Sequence, residues 1–355
     1  MKRLTLFPLI LLGALLLSAC ATATTSSWPG LAADADRAYL ASGSYVIGIR
    51  LSDGTKLWQY PEKAGPQHFY SSPTVAADGQ VLVGSAGSDY GLVSLDGTTG
   101  AAKWPVPFAG RDRWVAPPVV TGTTVYAANN DGTLYAISLA DGSKQWSIHL
   151  GGEIWGAPAT NGKLVFVNSL DHNLYAVDSS TIKLVWKVDL GGAAPSAPAV
   201  SADGSTVYTG SFGKKVFAVD AATGAVRWTA TTRDWIWGTP ALTGSNLLAA
   251  DISGNIYSFG AADGKDAGPV LQPDGPITGG PLVTSAGGVV VATESGNVVA
   301  YDGTGTRSWD VTLGGKIYTP PVAGGDLFAV APLGADSLLA GVSQDGKIMW
   351  KFTGK

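Results

Sequence analysis

Cysteine occurs once in this 355-residue chain, at Cys20. No disulfide framework is available, so packing alone must hold the folded part together. Histidine is nearly as scarce: His68, His149 and His172 lie far apart with no ligand spacing, and no metal centre is indicated. Glutamate occurs only at Glu62, Glu153 and Glu294, and charged residues are only 14% of the chain, against roughly 25% in an ordinary soluble domain. The net charge is −4, which offers no broad basic surface, so nucleic acid is not an expected partner. Helical periodicity is missing beyond the N terminus, and no Gly-x-Ser-x-Gly or phosphate loop stands in a usable context. Asp131-Gly132 and Asp171-His172 read as turns rather than acid–base pairs.

The one long apolar run is N-terminal. A basic start, Met1-Lys2-Arg3, precedes residues 4–17, which are almost wholly apolar but too short and wrongly flanked for a spanning helix. A secretory signal is the better reading. The run ends Leu17-Ser18-Ala19-Cys20, the lipobox pattern of bacterial lipoproteins. Residues 1–19 are therefore expected to be removed and Cys20 lipidated; the alternative is an ordinary signal peptide that contains a cysteine. Two or three acyl chains anchor stably where one is marginal. Residues 20–28 then form the lipidated start and a flexible tether, and residues 29–355 the folded domain. The expected location is the outer face of the cell membrane or, in a cell with two membranes, the periplasmic face of the outer one. Ala21 after the cysteine would permit that sorting.

What the chain has in excess is glycine, 48 residues at about twice the usual ~7%, and a regular scatter of tryptophan and proline. Trp58, Trp104, Trp146, Trp186, Trp228, Trp309 and Trp350 recur about every 42 residues, with one member missing between Trp228 and Trp309. Pro29, Pro73, Pro118, Pro158, Pro198, Pro240, Pro281 and Pro321 mark the same period from the other end of the unit. Two independent markers give eight units. In the third unit, Pro118 opens a short strand, and residues 124–128, 133–139 and 144–150 read as three more, joined by Asn130-Asp131-Gly132 and Asp141-Gly142 turns. Four antiparallel strands per unit, eight times over, predict an all-β eight-bladed propeller. The last unit has its own fourth strand at residues 347–353, so the ring is expected to close blade against blade; the alternative is an edge strand from residues 26–28.

A glycine stands four residues before the tryptophan at Gly54, Gly100, Gly142, Gly224, Gly305 and Gly346, with Ile182 the exception in the fourth unit. A small residue ten before it recurs at Gly48, Ala136, Ala176 and Ala218. The glycine closes the turn between third and fourth strands, and the small residue leaves room for the indole to lie against the neighbouring blade. An indole buries up to about 250 Å², worth a few kcal/mol. The sixth unit keeps Asp263-Gly264 but has Gly268 where the tryptophan belongs, so its outer edge is expected to be the weakest joint.

Stretches such as AVDAATGAVRW (218–228), AISLADGSKQW (136–146) and AVDSSTIKLVW (176–186) resemble the tryptophan-docking repeat of the pyrroloquinoline-quinone-like propeller superfamily, over residues 29–355. With the lipobox added, the chain most resembles the propeller lipoproteins of the outer-membrane β-barrel assembly machinery. That resemblance implies a monomeric, membrane-anchored scaffold that binds a protein or peptide in the cell envelope, without catalysis. The superfamily's dehydrogenases imply the other reading, a quinone held over the channel with calcium. They carry long insertions between blades and, in many, a disulfide of adjacent cysteines. Here the units are short and even, no cysteine is spare, and no segment clusters the six to eight oxygen ligands calcium takes. Neither quinone nor calcium is expected.

Three residues before each blade-opening proline stand Ser26, Tyr70, Val115, Trp155, Pro195, Trp237, Thr278 and Tyr318, with aromatics in alternate units. These positions fall where one blade passes to the next, at the mouth of the central channel. Trp114, Trp235, Arg113, Glu153, Arg233 and Lys316 lie close by in sequence. An aromatic rim with a few arginines suits a peptide segment or a sugar. The same alternation of large and small side chains would also fill a tapering channel.

Overall fold

The protein is described by a computed structural model covering residues 28–354. The expected signal segment, Cys20, the tether up to Ser27, and Lys355 lie outside the described residues. Within them the structure is all β, with no helix. The first blade is Gly30–Ala33, Arg37–Ser42, Tyr45–Arg50 and Lys56–Tyr60, paired in chain order as an antiparallel meander. The third blade has Val119–Thr121, Thr124–Ala128, Thr133–Ser138 and Lys144–His149, within a residue or so of the expected limits. The eighth owns its outer strand, Ile348–Phe352. Eight such sheets ring a channel, with the first strand of each innermost.

The core lies between blades. Among the described residues the buried apolar side chains form eight clusters, each straddling one joint: Leu40, Ile49 and Leu339 pack between blades one and eight, and Leu134, Val165 and Val167 between three and four. Hydrophobic faces that a single four-stranded sheet could not cover are thus covered by its two neighbours.

The joint geometry sharpens the sequence motif. Trp58, Trp104, Trp186, Trp228, Trp309 and Trp350 each donate Nε1–H to a backbone carbonyl in the next blade's turn, at 2.5–3.0 Å. The floor under each ring is the next blade's turn glycine. A methyl on Gly54, Gly100, Gly142, Gly224, Gly264 or Gly346 would stand 2.6–2.8 Å from the preceding blade's indole, and all six have φ between +69° and +83°. The glycine and the tryptophan of one motif therefore serve two different joints. Ile182 adopts the same turn at φ +61°, where a β-branched side chain is strained. Except for Trp104, which lies outside any strand, each indole also faces the small residue of its own third strand, as Gly48 pairs with Trp58 and Ala136 with Trp146. In blades seven and eight the turn is one residue tighter, so the partners of Trp309 and Trp350 are Ala300 and Gly341, nine residues back rather than ten.

The ring closes blade against blade. Trp350 lies on Gly54 and donates to the carbonyl of Leu51, and the Thr319 hydroxyl donates to the carbonyl of Pro29. Trp28 belongs to no strand, and the other two residues of the alternative edge strand, Ser26 and Ser27, lie outside the described residues.

Two blades are irregular: the second gains Gln67–Phe69 and keeps only Phe108–Ala109 of its outer strand, and the sixth lacks a regular outer strand. Ala241–Thr243, Asn246–Ala250 and Ile256–Gly260 form a three-stranded sheet, and the fourth strand is reduced to two bridges, Phe259 with Asp266 and Ile256 with Leu271. Pro269, which has no N–H to give, interrupts it. Gly268 occupies the tryptophan's slot: a methyl there would meet only Ser258, at 3.7 Å. Leu271 and Pro269 cover Gly305 instead, and a recess of about 490 Å³ opens beside them. We expect the amides of residues 266–271 to exchange hydrogen faster than the continuous outer strands of blades one, three, four, five, seven and eight. Gly268→Trp should slow that exchange and raise stability by about 1–2 kcal/mol; a destabilised variant would show that the slot is not a vacant joint.

Candidate functional site

Chain direction reverses from strand to strand, so the loops leading into each innermost strand share one end of the ring with the loops between second and third strands. There the positions three before the blade-opening prolines meet. Tyr70, Val115, Trp155, Pro195, Trp237, Thr278 and Tyr318 line a single pocket of about 160 Å³ at the channel mouth. The eighth position, Ser26, lies outside the described residues. Trp28 and Pro29 complete the lining there.

Alternation along the extended chain explains how they get there. The residue after each rim position is small and buried, because the inner strands crowd at the axis: a methyl on Gly156 would lie 2.2 Å from the Ser196 carbonyl oxygen. The residue before each rim position is buried among the blades, as Phe69, Ile154, Ile236 and Ile317 are. Trp114 occupies that buried slot in its unit, so it is removed from the candidate rim. It is 1% exposed, its ring lies 5.9 Å from Phe108 and 5.5 Å from Tyr135, and Val115 takes the rim place. One residue further back the side chains point to solvent again. Arg113, Glu153, Trp235 and Lys316 form an outer circle, exposed and outside the pocket, and Arg233 is exposed nearby.

Five aromatic rings run continuously across the mouth. Trp235 stacks on Phe212 at 4.9 Å, Phe212 meets Trp237 at 5.1 Å, Trp237 meets Trp28 edge-on at 6.0 Å, and Trp28 meets Tyr318 at 5.4 Å. Phe212 and Trp28 were missed by the proline register: Phe212 sits in the loop between second and third strands, and Trp28 is one residue, not three, before its proline. Trp155 is held apart from this arc, donating Nε1–H to Asn130 Oδ1 at 2.9 Å and Glu153 Oε2 at 3.0 Å.

The loop carrying Trp235 and Trp237 is pinned by Asp251, which is fully buried. Its carboxylate accepts from the amides of Asp234, Ser253 and Asn255, from Asn255 Nδ2, and from the Tyr257 hydroxyl at 2.8 Å. Burial, with this bond to Asp251, pushes the Tyr257 hydroxyl up to about 12, so it stays a protonated donor. The Ser253 hydroxyl, the Trp235 amide and Lys214 hold Asp234 below the ordinary carboxylate range.

The pocket lining is aromatic residues, prolines, valine, serine and threonines, with no carboxylate, amide side chain or cation. Among the described residues no three His, Cys, Asp or Glu side chains are placed to hold a metal ion. This donor set does not fit the quinone and calcium that the propeller superfamily implies. A larger recess of about 540 Å³ lies away from the mouth, among Arg37, Arg50, Leu51 and Gly324 at the closing joint.

Comparison with known proteins agrees with the architecture. The family model PQQ_2, described as outer membrane protein assembly factor BamB, matches residues 13–181, 92–234, 175–267 and 252–355. Among solved structures, BamB from Moraxella catarrhalis is 23% identical, over 92% of this chain and 85% of that one, with a TM-score of 0.48. The computationally designed Ika8 protein is 13% identical, over 92% and 96%, with a TM-score of 0.74, a likeness of fold alone. No curated protein matches. With overlapping matches across nearly all of its repeats, the chain belongs to the BamB family of outer membrane protein assembly factors.

Proposed function

We propose that this chain is a lipid-anchored, extracytoplasmic propeller that holds a protein partner in the cell envelope, in outer-membrane protein assembly, and catalyses no reaction. The observation that carries the reading is the chemistry of the channel mouth. Catalysis calls for an acid, base or nucleophile tuned near the working pH, and the pocket offers only tyrosine, serine and threonine hydroxyls, with no histidine, carboxylate or lysine in its lining to activate them. Rigid rings and prolines, by contrast, suit an extended peptide segment, which gains contact area there at little entropic cost. Family membership supports the envelope setting, and the lipobox at Leu17-Ser18-Ala19-Cys20 supports the anchor. Quinone and calcium form no part of the proposal.

The test is cross-linking capture of the membrane-anchored protein, wild type beside the triple variant Trp155→Ala, Trp237→Ala, Tyr318→Ala. The variant should keep its β-sheet circular dichroism and cooperative unfolding, yet recover at least tenfold less of the barrel-assembly components. A folded variant that captures every wild-type partner would remove the mouth from the proposal. Thermal unfolding with pyrroloquinoline quinone and calcium checks the competing activity: clear stabilisation would overturn the non-catalytic reading.

A further inference from the structure

Trp28, the first described residue, sits at the channel mouth between Trp237 and Tyr318. Cys20 is eight residues earlier. Even fully extended, that length spans at most about 26–29 Å. A lipidated Cys20 therefore fixes the mouth within that distance of the bilayer surface.

The length excludes the inverted orientation. To turn the opposite end toward the membrane, the tether would have to cross a blade from its first to its fourth strand and then descend its height. Three strand spacings come to about 14 Å and a six-residue strand to about 20 Å. Together these exceed the reach before any side chain or loop is counted. A propeller lying on its side remains within reach, and the contiguous aromatic arc at the mouth favours the upright pose. The mouth carries Trp28 and Trp235, 39% and 41% exposed, joined through Phe212 and Trp237. Tryptophan and tyrosine favour the headgroup layer, where a ring can be half apolar and half wet. The blade flanks mix charged and aliphatic side chains without an aromatic cluster: Lys183, Lys187 and Asp189 lie exposed beside Leu184 and Val185 on the fourth blade's Lys183–Asp189, and Arg307 and Asp310 lie exposed on the seventh blade's Arg307–Thr312.

We propose that the propeller stands mouth-down on the membrane, with its aromatic mouth toward the lipid surface and its glycine-turn end toward the aqueous compartment. This rests on the lipid-anchor reading above. It deepens that reading, because a segment entering the mouth must then come from a membrane-bound partner.

Single cysteines placed at Asp336 on the mouth end, Ala222 on the glycine-turn end, and Lys187 and Lys351 on opposite flanks would carry a fluorescent donor. The thiol of Cys20 is consumed by lipidation, so each label is unique. The full-length protein is reconstituted in vesicles of phosphatidylethanolamine and phosphatidylglycerol containing an acceptor lipid. Energy transfer should be several-fold stronger from Asp336→Cys than from Ala222→Cys, with the two flanks alike and intermediate. Equal transfer from both ends, or one flank exceeding the mouth, overturns the orientation. Mass spectrometry of the N-terminal peptide separates the two claims. An unmodified Cys20 removes the anchor and this inference with it, whereas a lipidated protein with the wrong transfer pattern removes the orientation alone.

Discussion

Trp350→Ala should lower the unfolding free energy by about 3–5 kcal/mol, more than the same change at Trp309. Both residues dock in the same way, but Trp350 is 9% exposed and packs with Leu31, Leu40, Leu339 and Phe352, whereas Trp309 is only half-buried. The decisive difference is topological. The Trp350 indole bonds the carbonyl of Leu51, 299 residues away, and the joint it fills is where the two ends of the ring meet. An internal joint is also held by the chain running through it, whereas the closing joint has side-chain and strand-to-strand packing alone. Once it opens, two apolar sheet faces are exposed to other copies of the chain. Urea unfolding of the two variants, with sedimentation to follow association, checks this. Equal midpoints, or a larger loss at Trp309, would show that the closing joint has no special weight.

Asp251→Ala should be nearly as damaging, by about 2–4 kcal/mol, and its effect should reach the mouth. The carboxylate is fully buried and satisfies the Tyr257 hydroxyl, the Asn255 side chain and three amides. Alanine leaves these donors buried without an acceptor, and each such group costs about 1–3 kcal/mol when no water replaces the lost partner. The blade concerned is the sixth, which has no docking tryptophan to resist the loosening. Because the Asp234 amide is one of the donors, the turn that stacks Trp235 on Phe212 should slacken with it. The expected signature is a lowered midpoint together with a weakened near-ultraviolet aromatic signal. Loss of stability with that signal intact would mean the aromatic turn is held by other contacts.

The architecture was readable because the joints are made by residue types with few substitutes: a glycine at positive φ, a small residue opposite, an indole above. Such positions repeat at the blade period whatever the surface does. The mouth was readable only in part. Counting back from each proline locates the rim positions, but sequence proximity alone places Trp114 on the rim, where it does not lie. Inward, buried and outward side chains succeed one another there at single-residue steps, and a one-residue difference moves a ring from channel to core. Trp28 escaped because it is one residue from its proline, and Phe212 because it comes from a loop without a period. Asp251 gave no signal, since the sequence Asp251-Ile252-Ser253-Gly254-Asn255 looks like any other turn and only folding buries its carboxylate.

Because each tryptophan rests on the following unit's glycine, a joint is specified by two half-sites on different units, each identical in kind around the ring. Recombination that removed or duplicated one whole unit would bring an existing indole onto an existing glycine and restore a complete joint with no new chemistry. Blade number is thus not encoded in the joints. It is set at the axis, where Gly156 beside Ser196 and Gly238 beside Gly280 fix how closely adjacent inner strands approach, and so the angle through which each unit turns the chain.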